Sequence, residues 1–134
     1  MIIHMKKIET DKAPKPNGPY SQAIQAGGFL FLAGQIPINP QTGKIEEISI
    51  EGQTRQVFLN IEAILKAAGL TFDNVVRSEV FLKDLSHFAA MNTIYAEFFK
   101  GPIKPARHTI QVAKLPMDAL IEVTCTAVVN NRSN

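Results

Sequence analysis

The sequence holds one cysteine, Cys125, and neither a CxxC pair nor a Cys/His cluster. A disulfide within one chain is therefore impossible, and a structural zinc site has no support. Three histidines, His4, His87 and His108, lack any partner at metal-ligand spacing and read as surface residues. Net charge is scarce too: 14 Lys and Arg against 12 Asp and Glu leave +2 at pH 7, with no long basic run. Nucleic-acid binding normally needs a basic stripe, so it is not expected. The longest apolar run, residues 29–34, is far too short to cross a membrane. The start of the chain lacks the apolar core of a signal peptide. A cytoplasmic protein with no membrane partner is the expectation. No GxGxxG or GxxxxGK[ST] pattern points to a nucleotide, and no repeat or low-complexity segment is present.

What is present is an ordinary globular composition: 134 residues, 46% hydrophobic and 19% charged. That is enough for one domain, 1–134, with its own core. Residues 1–7 read as flexible or as an N-terminal extension, and 130–134 as a flexible tail. Pro14, Pro16 and Gly18 make 8–18 a loop. Strands are expected at 20–26 and 29–35 around a Gly27-Gly28 turn. Pro37, Asn39-Pro40 and Thr42-Gly43 then break the chain into a loop. In residues 51–68 Val57, Ile61, Ile64, Leu65 and Ala68 fall at helical spacing, and Gly69 supplies a stop. Residues 74–83 alternate as a strand, with Val76, Val80 and Leu82 on one face. Ser86 is a fair N-cap for a second helix carrying Phe88, Met91, Tyr95, Phe98 and Phe99. Strands 106–113 and 120–129 close the chain, and a short strand near 5–8 precedes the rest. The order ββ-α-β-α-ββ predicts an α+β two-layer sandwich, a mixed sheet with two helices packed on one face.

Two helices leave the other face bare. Ile121, Val123, Cys125, Ala127 and Val129 form one apolar side of the last strand and should lie under the helices, with Cys125 inert. Leu120, Glu122, Thr124, Thr126 and Val128 form the other. The 106–113 strand splits into His108, Ile110 and Val112 against Arg107, Thr109, Gln111 and Ala113. Its aliphatic side is expected to face the helices, which would put Arg107 beside Glu122 on the far face. The 29–34 strand is apolar on both sides, so that far face should be covered by another subunit. From spacing alone, Arg107 and Glu122 read first as a structural or interface ion pair.

Seven stretches in order, GPYSQAI (18–24), AGQIPINPQTG (33–43), NIEAILKAAGL (60–70), VFLKDLSHFAAMNTIYAEFF (80–99), PAR (105–107), VAKLP (112–116) and IEV (121–123), resemble the RidA family, also called the YjgF family. The resemblance implies a chorismate-mutase-like fold and a homotrimer with a site at each subunit boundary. It implies a cofactor-independent, metal-free 2-iminobutanoate/2-iminopropanoate deaminase. Such an enzyme hydrolyses 2-aminoacrylate and related imino acids to 2-oxo acids and ammonia, which protects pyridoxal-phosphate enzymes. Carried over by position, Arg107 is the carboxylate-binding arginine and Glu122 orients the hydrolytic water. Tyr20 and Asn92 line the pocket. Thr109 stands where cysteine is frequent, and Ala33 where some members have serine. His108 and Thr124 also depart from common family residues, which bears on substrate preference.

The implied reaction asks for few parts. A guanidinium grips a carboxylate through two parallel hydrogen bonds. A neighbouring carboxylate then orients a water and takes its proton as the imine carbon is attacked. Two other classes stay open at this stage: a non-catalytic trimer that binds small carboxylates or oxo acids, and an RNA-cleaving translation inhibitor. A chaperone role is also compatible with the sequence.

Overall fold

The computed structural model describes residues 2–130. Most of the expected tail, 131–134, lies outside the described residues. In chain order the elements are β1 (Lys6–Ile8), β2 (Ala23–Ala26), β3 (Phe29–Leu32), β4 (Ile38–Asn39), β5 (Lys44–Ile45), α1 (Ile50–Ala67), β6 (Val75–Leu82), α2 (Phe88–Phe98), β7 (Ala106–Gln111) and β8 (Ile121–Val128). The six-stranded sheet runs β1-β2-β3-β8-β6-β7. Only β6 and β7 pair in parallel, and α2 is the crossover between them. β2 and β3 form a hairpin on Gly27 and Gly28, whose φ angles of 60° and 82° suit a two-residue turn that only glycine adopts freely. β1 is the short strand expected near 5–8, and it pairs Lys6 and Lys7 with β2. The 36–45 segment, expected as a loop, carries the small β4–β5 hairpin.

α1 forms where its apolar spacing predicts. Ser49 caps it by accepting from the Gly52 N–H at 3.0 Å, and Val57, Ile61, Ile64 and Leu65 are fully buried. The cap before α2 is not Ser86. Asp84 accepts from the Ser86 N–H at 2.8 Å and starts a short 3₁₀ turn, Leu85–His87, that feeds α2. Both helices pack over Leu30, Leu32, Val80, Leu82, Ile121, Val123 and Cys125, which form one core cluster with Phe58 and Met91. Two-layer packing on one sheet face is thus as expected.

Two face assignments differ from the sequence reading. A β-bulge between Val75 and Arg77 puts Val75, not Val76, on the helix side, and Val76 is left 40% exposed. The larger correction concerns β7. Arg107 lies in register with Ser78, which pairs with Cys125; Thr109 lies beside Val80, which pairs with Val123. Arg107 and Thr109 therefore point toward the helices. His108 and Ile110 share the open face with Glu79, Phe81 and Glu122. Alternation fixes which residues share a face but not which face is covered. β7 is the sheet edge, and there the rings of α2, not an aliphatic core, meet the strand.

The open face is apolar without cover from this chain. Phe29, Phe31 and Ile110 are 40%, 48% and 44% exposed. Amid them His108 Nδ1 sits 3.2 Å from an Arg77 nitrogen, and Glu79 lies within 3.8 Å of Arg77.

Candidate active site

Two separate cavities, one on each face of the sheet, hold the expected site residues other than Thr109. The first, about 540 Å³, opens beside Arg107. α2 supplies Asn92 and Tyr95 to its wall, and the segment after α2 supplies Lys100, Lys104 and Pro105. Lys104 is fixed by its own loop: Nζ donates to the Phe99 and Gly101 carbonyls, both at 2.8 Å. The lining thus carries Arg107, Lys100 and Lys104 and no carboxylate. Among the described residues Arg107 joins no ion pair. A guanidinium outside any ion pair, in a cavity lined by cations, has the chemistry to hold an anion.

The second cavity, about 480 Å³, lies on the open side around Glu122. Tyr20 and Ala33 line it, and Ile36, Ile38, Pro116 and Met117 give it apolar walls. Burial pushes the Glu122 carboxyl above its ordinary proton affinity. The backbone at Gly34 makes room for that carboxylate: a Cβ there would run into Glu122 Oε2 and stand 3.1 Å from Cδ. Paired bonds between Gln35 and Val123, 2.8 and 3.0 Å, hold this stretch against β8. Buried Asn60 of α1 anchors the next wall by donating to the Ile38 carbonyl at 2.9 Å. Tyr20 is 54% exposed, and its hydroxyl accepts from the Asn17 N–H at 3.1 Å.

The structure therefore groups Tyr20 and Ala33 with Glu122, and Asn92 with Arg107. It does not bring Arg107 and Glu122 together within one chain. An intrachain ion pair between them is excluded by their opposite faces. Thr109 shares the Arg107 face, and its buried hydroxyl has no hydrogen-bond partner among the described residues. Thr124 is structural, donating to the Leu32 carbonyl at 2.7 Å. His108 belongs to the open face, not to either cavity.

A family model described as Endoribonuclease L-PSP matches residues 10–129. A RutC family protein of Pyrococcus horikoshii is 57% identical over 120 residues, covering 90% of this chain and 94% of its own. The chain belongs to the Rid/RutC family. Reactive Intermediate Deaminase A of Arabidopsis thaliana, a chloroplastic protein, is 47% identical over 125 residues, which is 93% of this chain and 66% of that one. A crystal structure of E. coli TdcF with bound serine superposes with a TM-score of 0.89 at 40% identity, covering 93% of this chain and 99% of the other. Among the described residues of this Rid/RutC protein no helix is long and apolar enough to cross a membrane.

Sequence reasoning missed three residues that line the two cavities. Gly34 was readable as a glycine inside a strand pattern, a usual sign of close backbone approach. Lys104 carries no such signal, because only the fold turns it back on the end of α2. Tyr95 was visible solely as part of an apolar stripe.

Proposed function

We propose that this protein is a cofactor-independent hydrolytic deaminase of small 2-imino acids, with each site shared between two copies of the chain. Arg107 of one copy grips the substrate carboxylate, and Glu122 of a second copy activates water against the imine carbon. The observation that carries this reading is the division of labour between two incomplete cavities. One holds an unpaired guanidinium and no acid; the other holds a carboxyl of raised proton affinity and apolar walls. Neither performs the reaction alone. The exposed Phe29, Phe31 and Ile110 supply a surface for a second copy to cover. A homotrimer closes such an arrangement with equivalent sites. The names of the relatives agree in kind: one is a reactive intermediate deaminase, and another was crystallised with serine, a small amino acid bearing the same carboxylate.

The chemistry fits these parts. Holding the carboxylate by a two-pronged fork removes rotational freedom of the substrate. Water beside Glu122 loses one proton to the carboxylate while its oxygen bonds to the carbon of the protonated imine, whose C=N electron pair moves to nitrogen. Glu122 returns that proton to the carbinolamine nitrogen; the C–N bond then breaks to release ammonia, the hydroxyl proton passes back to the carboxylate, and the 2-oxo acid is left. Coupling the protein to a serine/threonine dehydratase or an amino-acid oxidase tests this directly. Decay of the imine is expected to accelerate in proportion to added protein, and equal decay with and without it removes the proposal.

Gly34→Ala is a second, local test. The added methyl meets the flexible end of Glu122, so the fold should hold while the carboxylate shifts. Misplacement of this order costs turnover about ten- to a hundred-fold. Melting temperature and kcat measured side by side decide it; wild-type kcat would mean that the carboxylate position is not used. The binder reading shares the Arg107 cavity and predicts ligand affinity with no acceleration at all.

A further inference from the structure

Arg107 does not stand free in its cavity. Its Cζ lies 4.6 Å from the centroid of Tyr95 and 5.5 Å from that of Phe88, both on α2. Rings at this range attract a guanidinium through their π-faces and restrict its plane. Tyr95 is itself immobile. Its ring stacks on Phe99 at 4.3 Å and meets Phe58 edge-on at 5.4 Å, and its hydroxyl lies 2.6 Å from the Ser78 Oγ. Ser78 is fully buried and is the strand neighbour of Arg107. Burial raises the Tyr95 phenol above its ordinary proton affinity, so the ring stays neutral and hydrogen-bonded. A path of rigid contacts thus runs from the aromatic core through Tyr95 to the guanidinium.

We infer that Tyr95, with Phe88, is a positioning residue that fixes the plane of the Arg107 fork for a carboxylate ligand. The inference rests on the reading of Arg107 as the carboxylate grip. A side chain with this many rotatable bonds gives a bidentate contact only when its plane is set beforehand. The aromatic faces supply that order, and they do so from the same chain as Arg107. The hydroxyl satisfies Ser78 and thereby holds the ring in place.

Ring and hydroxyl separate by substitution. Tyr95→Phe keeps the ring and strips Ser78 of its partner, so it should lower the melting temperature and weaken binding of 2-oxobutanoate less than Tyr95→Leu does. Tyr95→Leu removes the ring and should weaken binding about ten-fold, with KM for the imine rising more than kcat falls. Phe88→Leu, at a half-exposed position that does not risk the core, should weaken binding about three-fold. In an Arg107→Lys background the Tyr95→Leu effect should shrink toward none, because no fork remains to be oriented. The inference is overturned if Tyr95→Leu and Phe88→Leu bind as wild type, if Tyr95→Phe loses as much as Tyr95→Leu, or if the double variant is simply additive. A wild-type protein that fails to bind 2-oxobutanoate takes down the Arg107 reading itself; binding that ignores the two rings takes down this inference alone.

Discussion

Arg107→Lys is expected to lower kcat/KM for a small 2-imino acid about ten- to a hundred-fold. Lysine keeps the positive charge, so the electrostatic attraction of the cavity survives. What disappears is the second parallel hydrogen bond, and a hydrogen bond to a charged group contributes about 1.5–3 kcal/mol. At roughly 1.4 kcal/mol per decade that is the stated loss. The effect should divide between KM and kcat, because the fork both holds the substrate and aims it. Lys104 is already pinned near the same cavity, yet it cannot stand in, since two of its protons are committed to backbone carbonyls. Arg107 is engaged with rings and not with a structural carboxylate, so the fold should tolerate the change. Wild-type kinetics in Arg107→Lys would show that charge alone is enough and would remove the bidentate grip.

Glu122→Gln should do the reverse, leaving affinity for 2-oxobutanoate within a few-fold and reducing turnover by about 10²–10⁴. The amide fills the same space but accepts no proton. In the wild type the base must be ionised, so kcat/KM should fall as pH drops through a midpoint above the ordinary glutamate value of 4.5. That inflection should vanish from the residual rate of the variant. The folded state holds this proton more tightly than the unfolded chain does. Ionised Glu122 therefore costs stability as pH rises through the folded value, and the glutamine variant should melt no lower than wild type near neutrality. Retained turnover with an unchanged pH profile would move the role of base to another group.

The same two positions test the sharing of the site. Arg107→Ala and Glu122→Gln proteins, each inactive, are dissociated together and allowed to reassemble. In random closed rings about a quarter of the sites then pair an intact Arg107 with an intact Glu122. Activity should return to about that level. If one chain carried both groups into one pocket, mixing would restore nothing.

The elements were legible where periodicity is strong. Val57, Ile61, Ile64 and Leu65 mark α1 without ambiguity, and Gly27-Gly28 marks the β2–β3 turn. Val76 was misplaced because a bulge shifts the alternation by one residue, which no pattern of apolar residues announces. Arg107 was assigned to the wrong side for a deeper reason. Its strand is an edge strand with polar residues on the helix side and Ile110 on the open side, so the usual rule that aliphatic means covered fails. This chain leaves Ile110 44% exposed. The candidate residues were named through ordered family stretches such as PAR and IEV, and the structure divides them into two groups that sequence order does not reveal. Tyr95 was seen as core and is core; its second contact, with the guanidinium, depends on the packing of α2 over β7.

The placement of Arg107 and Glu122 on opposite sides of one sheet has a consequence for inheritance. On the shared-site reading every chain serves two reaction centres, lending a cation to one neighbour and a base to another. A chain damaged at both positions would silence both of the centres it touches, so its co-expression with the normal chain should act dominantly, whereas a chain that merely fails to assemble would be masked.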